Sequence, residues 1–410
     1  MLNKKPQRNS SVELLKILAM MMILFAHQIE EYSSVAELCV GFTLMQPTAN
    51  PQFLLLNFIS PLGLLGDVVF IAASAYFLLD SNKISIKKIF FLIVTEVFVM
   101  CCELIVKASI GDAISTRQII NAIFPTVLQI NWFIGYYIVF YLLHPFFNYV
   151  IRKLDKKGLA IVAAILFVQC NVILFGMGNT PGSMGAKFLC FVSIYFVVAY
   201  YRYYGGKLWE SQKFNIIMLI LSILLYIVER IAINYIGLKL DYVAERQYGY
   251  AHIQNPFSLA IALFAINLAV HKPTYNRAVN YFSGLSLVFY LVHKHLQFQT
   301  HSHYFENFIS KYGNEWLLLA YFTATLIVLG ITVVLSVLFR HTVYYGVMAL
   351  GDVVEKATLK LADKIKVKWN ANHKHACLEV REEHQESEKT EIAEENENTV
   401  ASEREETTKK

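Results

Sequence analysis

Apolar stretches recur along this chain at close to the roughly 20 residues an α-helix needs to cross about 30 Å of hydrocarbon. Basic residues gather in every second connection between them. Such a chain has few structural options. Inside a bilayer each backbone N–H and C=O has to be satisfied within the protein, so the spans are helical. Ten are expected: Ser10–His27, Leu62–Leu79, Ile89–Val106, Trp132–Ile151, Leu159–Phe175, Phe188–Tyr201, Ile216–Ile236, Phe257–Val270, Val279–His295 and Trp316–Phe339. The sixth and eighth are the shortest. Lys4, Lys5 and Arg8 place the N-terminus in the cytoplasm, and the loops holding Lys83, Lys87 and Lys88 and Arg152 to Lys157 lie on the same side. Ten crossings return the C-terminus there. The first apolar segment has no small-residue cleavage site and reads as an anchor that stays.

The reading is therefore an all-α, polytopic integral membrane bundle in the cell membrane. Charged residues make up 16% of the chain, against about a quarter in soluble domains. The net charge of +5 follows from topology and implies no nucleic-acid partner; the expected surroundings are membrane lipid. The cysteines have no metal-ligand spacing, and no metal cluster or phosphate-binding loop is visible. Past the tenth span, Val347, Leu350, Val354, Leu361 and Ile365 keep a helical period opposite Lys356, Lys360 and Lys364, as in an amphipathic helix on an anionic leaflet. The expected organisation is a membrane domain over 1–340, this helix within 341–370, and a disordered Glu- and Lys-rich tail over 371–410.

Ionisable residues inside the spans mark where function can reside, because they are costly in hydrocarbon and face a bundle interior or an aqueous cavity. The first helix carries Glu13, Lys16 and His27. At about 100° per residue, Lys16 and His27 fall about 20° apart around the axis and about 16 Å apart along it. Glu13 lies one turn from Lys16, within pairing reach. Glu96 and Glu103 share a face of the third span, Asp67 lies in the second, and Glu229 and Arg230 lie in the seventh.

Five stretches, in order, carry a resemblance. They are VELLKILAMMMILFAH with Glu13, Lys16 and His27; GDVVFIAASAY with Gly66, Phe70, Ser74 and Tyr76; WFIGYYIVFYLLHPFFN; YFVVAYYRYYGGKL; and LSLVFYLVH with Tyr290 and His293. Together they resemble the bacterial membrane acyltransferases of acyltransferase family three, which includes O-acetyltransferases of cell-surface polysaccharides. That family's first helix has Asp, Arg and His where this chain has Glu13, Lys16 and His27. Ala75 and Ala199 replace glycines of the family pattern, and no Arg-x-x-Arg pair follows the second span.

The resemblance implies an integral membrane O-acyltransferase moving an acyl group, acetyl above all, from acyl-coenzyme A to a glycan hydroxyl, with no bound cofactor. Such a transfer needs a base at the hydroxyl and stabilisation of the developing oxyanion. His27 is the expected base, with Glu13 beside it in the catalytic set. Lys16, with Lys83 and Lys87, is expected at the donor's phosphates; the alternative for Lys16 is an anchor paired with Glu13. Glu96 and Glu103 are expected either to orient His27, to pair with Lys16, or to pair structurally. Glu96, Glu103, Trp132, Tyr290 and His293 are expected to line the substrate path, with a structural role as the alternative for His293. The competing classes are a transporter or flippase for a lipid-linked glycan or small solute, which also needs buried charges around a cavity, and a non-catalytic member of the family.

Overall fold

The computed structural model describes residues 8–31, 51–177, 184–237, 239–240, 253, 255–295, 311–312 and 314–366. It forms two units, Met1–Met348 and Ala349–Lys410. Among the described residues the structure is helical, with no strand. The expected loops around 32–50 and 241–252 and the charged tail over 371–410 lie outside the described residues.

The first unit contains α1 (Ser10–Glu31), α2 (Pro51–Ile59), α3 (Leu62–Leu78), α4 (Ile86–Ser109), the short α5 (Thr116–Ile123) and α6 (Trp132–Lys153). Next come α7 (Lys156–Val168), which continues through a π-helical turn at Gln169–Ile173, and α8 (Met184–Tyr204). The rest is α9 (Gly206–Glu210), α10 (Gln212–Gly237), α11 (Pro256–His271), α12 (Arg277–Ser283), α13 (Ser286–His295) and α14 (Leu317–Thr342). Six helices among the described residues are long and apolar enough to cross a membrane: α1, α4, α6, α7 with its extension, α10 and α14. The other four expected spans correspond to the 17-residue α3, the 16-residue α11, α8, and the pair α12 and α13.

The ninth expected span is not one helix. It breaks at Gly284 and Leu285 into α12 and α13. Ser286 Oγ donates to the Ser283 carbonyl at 2.7 Å, satisfying a group that the break leaves open. An unbroken Val279–His295 helix was the expectation because the apolar pattern runs through the break. Apolar periodicity cannot register a turn whose backbone groups are satisfied locally, by Ser286 and by the residues on either side.

The bundle is built around α1, which packs most extensively on α3 and also touches α11, α12, α13 and α14. Small residues permit the α1–α3 approach. A Cβ built on Gly66 would stand 2.6 Å from the Ala19 carbonyl oxygen, and one on Gly63 would stand 2.8 Å from Ala26 Cβ. The start of α1 is tied to the α11–α12 connection. Ser10 N–H donates to the Thr274 carbonyl at 2.8 Å, and Asn9 Nδ2 donates to the Ala269 carbonyl at 3.0 Å. Farther along, Tyr321 OH on α14 donates to the Phe25 carbonyl at 2.6 Å.

The end of α3 is held by residues of the resemblance motifs. Buried Asn148 on α6 donates from Nδ2 to the carbonyls of Leu78 and Ser81, both at 2.9 Å. Tyr195 OH on α8 donates to Asn148 Oδ1 at 2.5 Å. Arg202 donates to the Tyr76 carbonyl, pairs with Asp80 at 2.5 Å and lies 4.1 Å over the Tyr76 ring. These motif positions secure a helix terminus, whose last carbonyls have no partner within the helix.

In the second unit, 349–366 is helical, with Leu350, Leu361 and Ile365 exposed by 57–60%.

Candidate active site

Glu13 and Lys16 stand on the first turns of α1. Lys16 Nζ lies 3.5 Å from Glu13 Oε1, and Ser283 Oγ at the end of α12 donates to Glu13 Oε2. Both side chains keep some exposure, 14% for Glu13 and 24% for Lys16, because a cavity opens beside them. It measures about 330 Å³ and is walled by α1, α3, α4, α6, α12, α13 and the α12–α13 break. Arg8, Glu13, Lys16 and Ser283 supply its charged and polar part near the start of α1, while Asp67, Ser74, Tyr137 and Tyr290 add polar groups to an otherwise apolar wall.

The far end of α1 carries the second half of the arrangement. His27 Nδ1 lies 3.0 Å from Nε2 of His293 on α13, with ring centroids 5.2 Å apart. His293 is buried, and its Nδ1 donates to the Phe289 carbonyl at 2.7 Å. His27 is half-buried. Tyr290 belongs to both halves. It lines the cavity, and its ring centroid is 6.1 Å from that of His27 and 5.8 Å from that of His293. The histidine pair thus adjoins the cavity through Tyr290, while Lys16 enters it directly.

Other expected site residues fall elsewhere. Glu13 is fourteen residues from His27 on the same helix, which is about 21 Å along the axis, so the two do not act on one atom. Lys83 and Lys87 are outside the cavity wall; Lys83 lies in the α3–α4 turn, where its carbonyl accepts from Tyr141 OH at 3.5 Å. Lys88 Nζ rests 5.8 Å over the Tyr141 ring. Trp132 opens α6 with Lys187 Nζ 4.8 Å over its ring. Arg230 is buried on α10, with Glu229 beside it.

Glu96 and Glu103 meet neither His27 nor Lys16. Fully buried Glu96 accepts from Thr126 Oγ1 at 2.5 Å and from Asn131 Nδ2 at 2.7 Å. Glu103 pairs with Lys107 at 2.6 Å and with His295 Nδ1 at 3.2 Å. Asn131 Oδ1 lies 3.0 Å from His295 Nε2. A polar chain therefore joins α4, the α5–α6 connection and the end of α13. Sequence reasoning gave Asn131, His295, Ser283 and Arg8 no site role. Arg8 entered only as a topology signal, and His295 carried a signal only as a titratable residue two positions from His293.

What the arrangement offers is a mouth carrying Arg8, Lys16 and Glu13, an apolar passage and an imidazole pair near its other end. Comparison with known proteins adds one match: a family model described as an acyltransferase domain covers residues 9–341. No curated protein and no solved structure matches the chain.

Proposed function

The chain belongs to this acyltransferase family, acyltransferase family three, and from that premise we propose that it is a cell-membrane O-acyltransferase. In this reading it transfers an acyl group, acetyl above all, from acyl-coenzyme A to a hydroxyl of a cell-surface glycan. The observation that carries the reading is the shared Tyr290, which joins a cavity holding Arg8 and Lys16 to the His27–His293 pair. A donor whose phosphates meet Lys16 has to present its thioester about 16 Å farther along α1, where His27 stands. Polyphosphate suits a cationic mouth, and the pantetheine arm suits an apolar passage.

In the transfer, His27 takes the proton of the acceptor hydroxyl as the oxygen attacks the thioester carbonyl carbon. The tetrahedral intermediate collapses, the C–S bond breaks, and the thiolate leaves with the proton returned from His27. Fully buried His293 behind half-buried His27 limits the water that can compete with the acceptor hydroxyl. The reading includes ten spans, counting α3, α8, α11 and the broken α12–α13 pair, with the first turns of α1 toward the cytoplasm where the donor is made.

The test is turnover by purified protein in lipid nanodiscs supplied with acetyl-coenzyme A and a glycan acceptor, read as free thiol and as acylated product. Thiol release that depends on acceptor and is lost in His27→Ala is expected. Normal release in a folded His27→Ala protein would overturn the assignment of the base. Solute or glycan movement without thiol release would turn the reading toward transport.

A further inference from the structure

The hydrogen-bond directions around His27 can be fixed one atom at a time. His293 Nδ1 is 2.7 Å from the Phe289 carbonyl oxygen, four residues earlier on α13. A carbonyl only accepts, so this nitrogen carries the hydrogen. In a neutral imidazole the other nitrogen then bears the lone pair. That nitrogen, Nε2, is the one 3.0 Å from His27 Nδ1. Since it accepts, His27 donates from Nδ1, and the lone pair of a neutral His27 is left on Nε2. Among the described residues, His27 Nε2 has no hydrogen-bond partner.

We propose that His293 is the positioning residue of His27: it holds the ring in the tautomer whose Nε2 is free to take a proton, and it fixes the ring plane by the same contact. The Phe289 carbonyl sets the tautomer of His293, and His293 sets that of His27. Acceptors that take the hydrogen of the non-working ring nitrogen orient catalytic and metal-bound imidazoles in the same way. When His27 Nε2 gains the acceptor's proton, the Nδ1–H to His293 contact becomes charge-assisted and shorter. The pair therefore binds the protonated base more strongly than the neutral one, which favours the proton-transfer step. An unsupported imidazole would populate both tautomers and rotate about its χ angles, and only a fraction would present the working nitrogen.

This inference rests on the acyl-transfer reading, and its test separates the two. Three variants are compared with the parent for kcat and donor KM at equal amounts of monodisperse protein: His293→Leu, which fills the space without an acceptor; His293→Gln, whose amide oxygen falls near the place of Nε2; and His27→Ala. His293→Leu is expected to lose roughly 10²-fold or more in kcat with donor KM unchanged. His293→Gln is expected to recover most of that loss, because it restores an acceptor for His27 Nδ1–H. Equal losses in His293→Gln and His293→Leu would make the residue a packing element and overturn the proposal, as would parental kcat in His293→Leu. If His27→Ala is inactive while His293→Leu is normal, only the positioning role falls. If the parent releases no thiol from any acyl-coenzyme A, the reading falls and takes the positioning role with it. Solid-state ¹⁵N spectra of histidine-labelled parent protein, assigned by the signals missing from His27→Ala and His293→Gln, read the tautomer whether or not His293→Leu folds. Protonated Nδ1 with bare Nε2 on His27 is expected, and the reverse pattern overturns the proposal.

Discussion

His295 Nδ1 lies 3.2 Å from Glu103 Oε2, a contact between the end of α13 and the last turns of α4 that neither residue's sequence neighbourhood announces. Asn131 makes it part of a chain. Its Nδ2 donates to the Glu96 carboxylate at 2.7 Å, so its Oδ1 is the atom 3.0 Å from His295 Nε2. Both ring nitrogens of His295 thus face acceptor oxygens, one on Asn131 and one on Glu103. The chain runs from Glu96 through Asn131 and His295 to Glu103 and Lys107, so each of these buried or half-buried polar groups has a partner inside the bundle.

The network predicts coupled stability effects. Removing one partner leaves a buried group unsatisfied, at a cost of about 1–3 kcal/mol. Asn131→Ala and His295→Ala should each lower the melting temperature in detergent. The double variant should lose less than the sum of the two, because the second change removes a group the first had already stranded. Strict additivity in the thermal shifts would show that the two residues act separately.

The α1–α3 contact predicts an asymmetry between two glycines. Gly66→Ala drives a methyl to 2.6 Å from the backbone oxygen of Ala19. Backbone cannot move aside as a side chain can, and overpacking of this kind costs about 1–3 kcal/mol. Gly330 on α14 has nothing within 4 Å of the same built atom, so Gly330→Ala should be neutral or mildly stabilising. Fluorescence-detected size-exclusion profiles after a temperature series compare them directly, and a Gly66→Ala protein as stable as the parent would contradict the described packing.

Asn148 predicts a strong dependence on donor chemistry. Asn148→Asp keeps the size but faces the Leu78 and Ser81 carbonyls with an acceptor in place of the amide donor. Both Asn148→Asp and Asn148→Ala should destabilise the bundle by about 1–3 kcal/mol. Tyr195→Phe, which removes only one hydroxyl, should cost less. If Asn148→Asp melts with the parent, the carbonyls are satisfied by something else.

Lys16 predicts a split between binding and chemistry. It enters the cavity and lies 3.5 Å from Glu13 Oε1. If it meets donor phosphate, Lys16→Ala should raise the donor KM and leave kcat nearly unchanged, since the contact is the same in ground and transition states. Lys16→Arg should keep or improve binding through its planar fork. A donor KM unmoved by Lys16→Ala would leave Lys16 as a helix anchor.

Much of this protein was legible in its residues alone. Apolar runs of membrane length admit helices and little else, so the helical class and the extent of most helices followed directly. The helical period placed Lys16 and His27 on one face, and in the structure Lys16 lines the cavity and His27 adjoins it. Other relationships belong to the tertiary structure only. The α12–α13 break is one; the joining of His27 to His293, and the sorting of Glu96 and Glu103 away from His27 into a chain with Asn131 and His295, depend on side chains 35 to 266 positions apart. Periodicity is a property of one helix and is written in the order of its residues. A hydrogen bond between two helices is set by their separation, rotation and register, which emerge when close contacts such as Gly66 on Ala19 fix how far each helix slides before it locks.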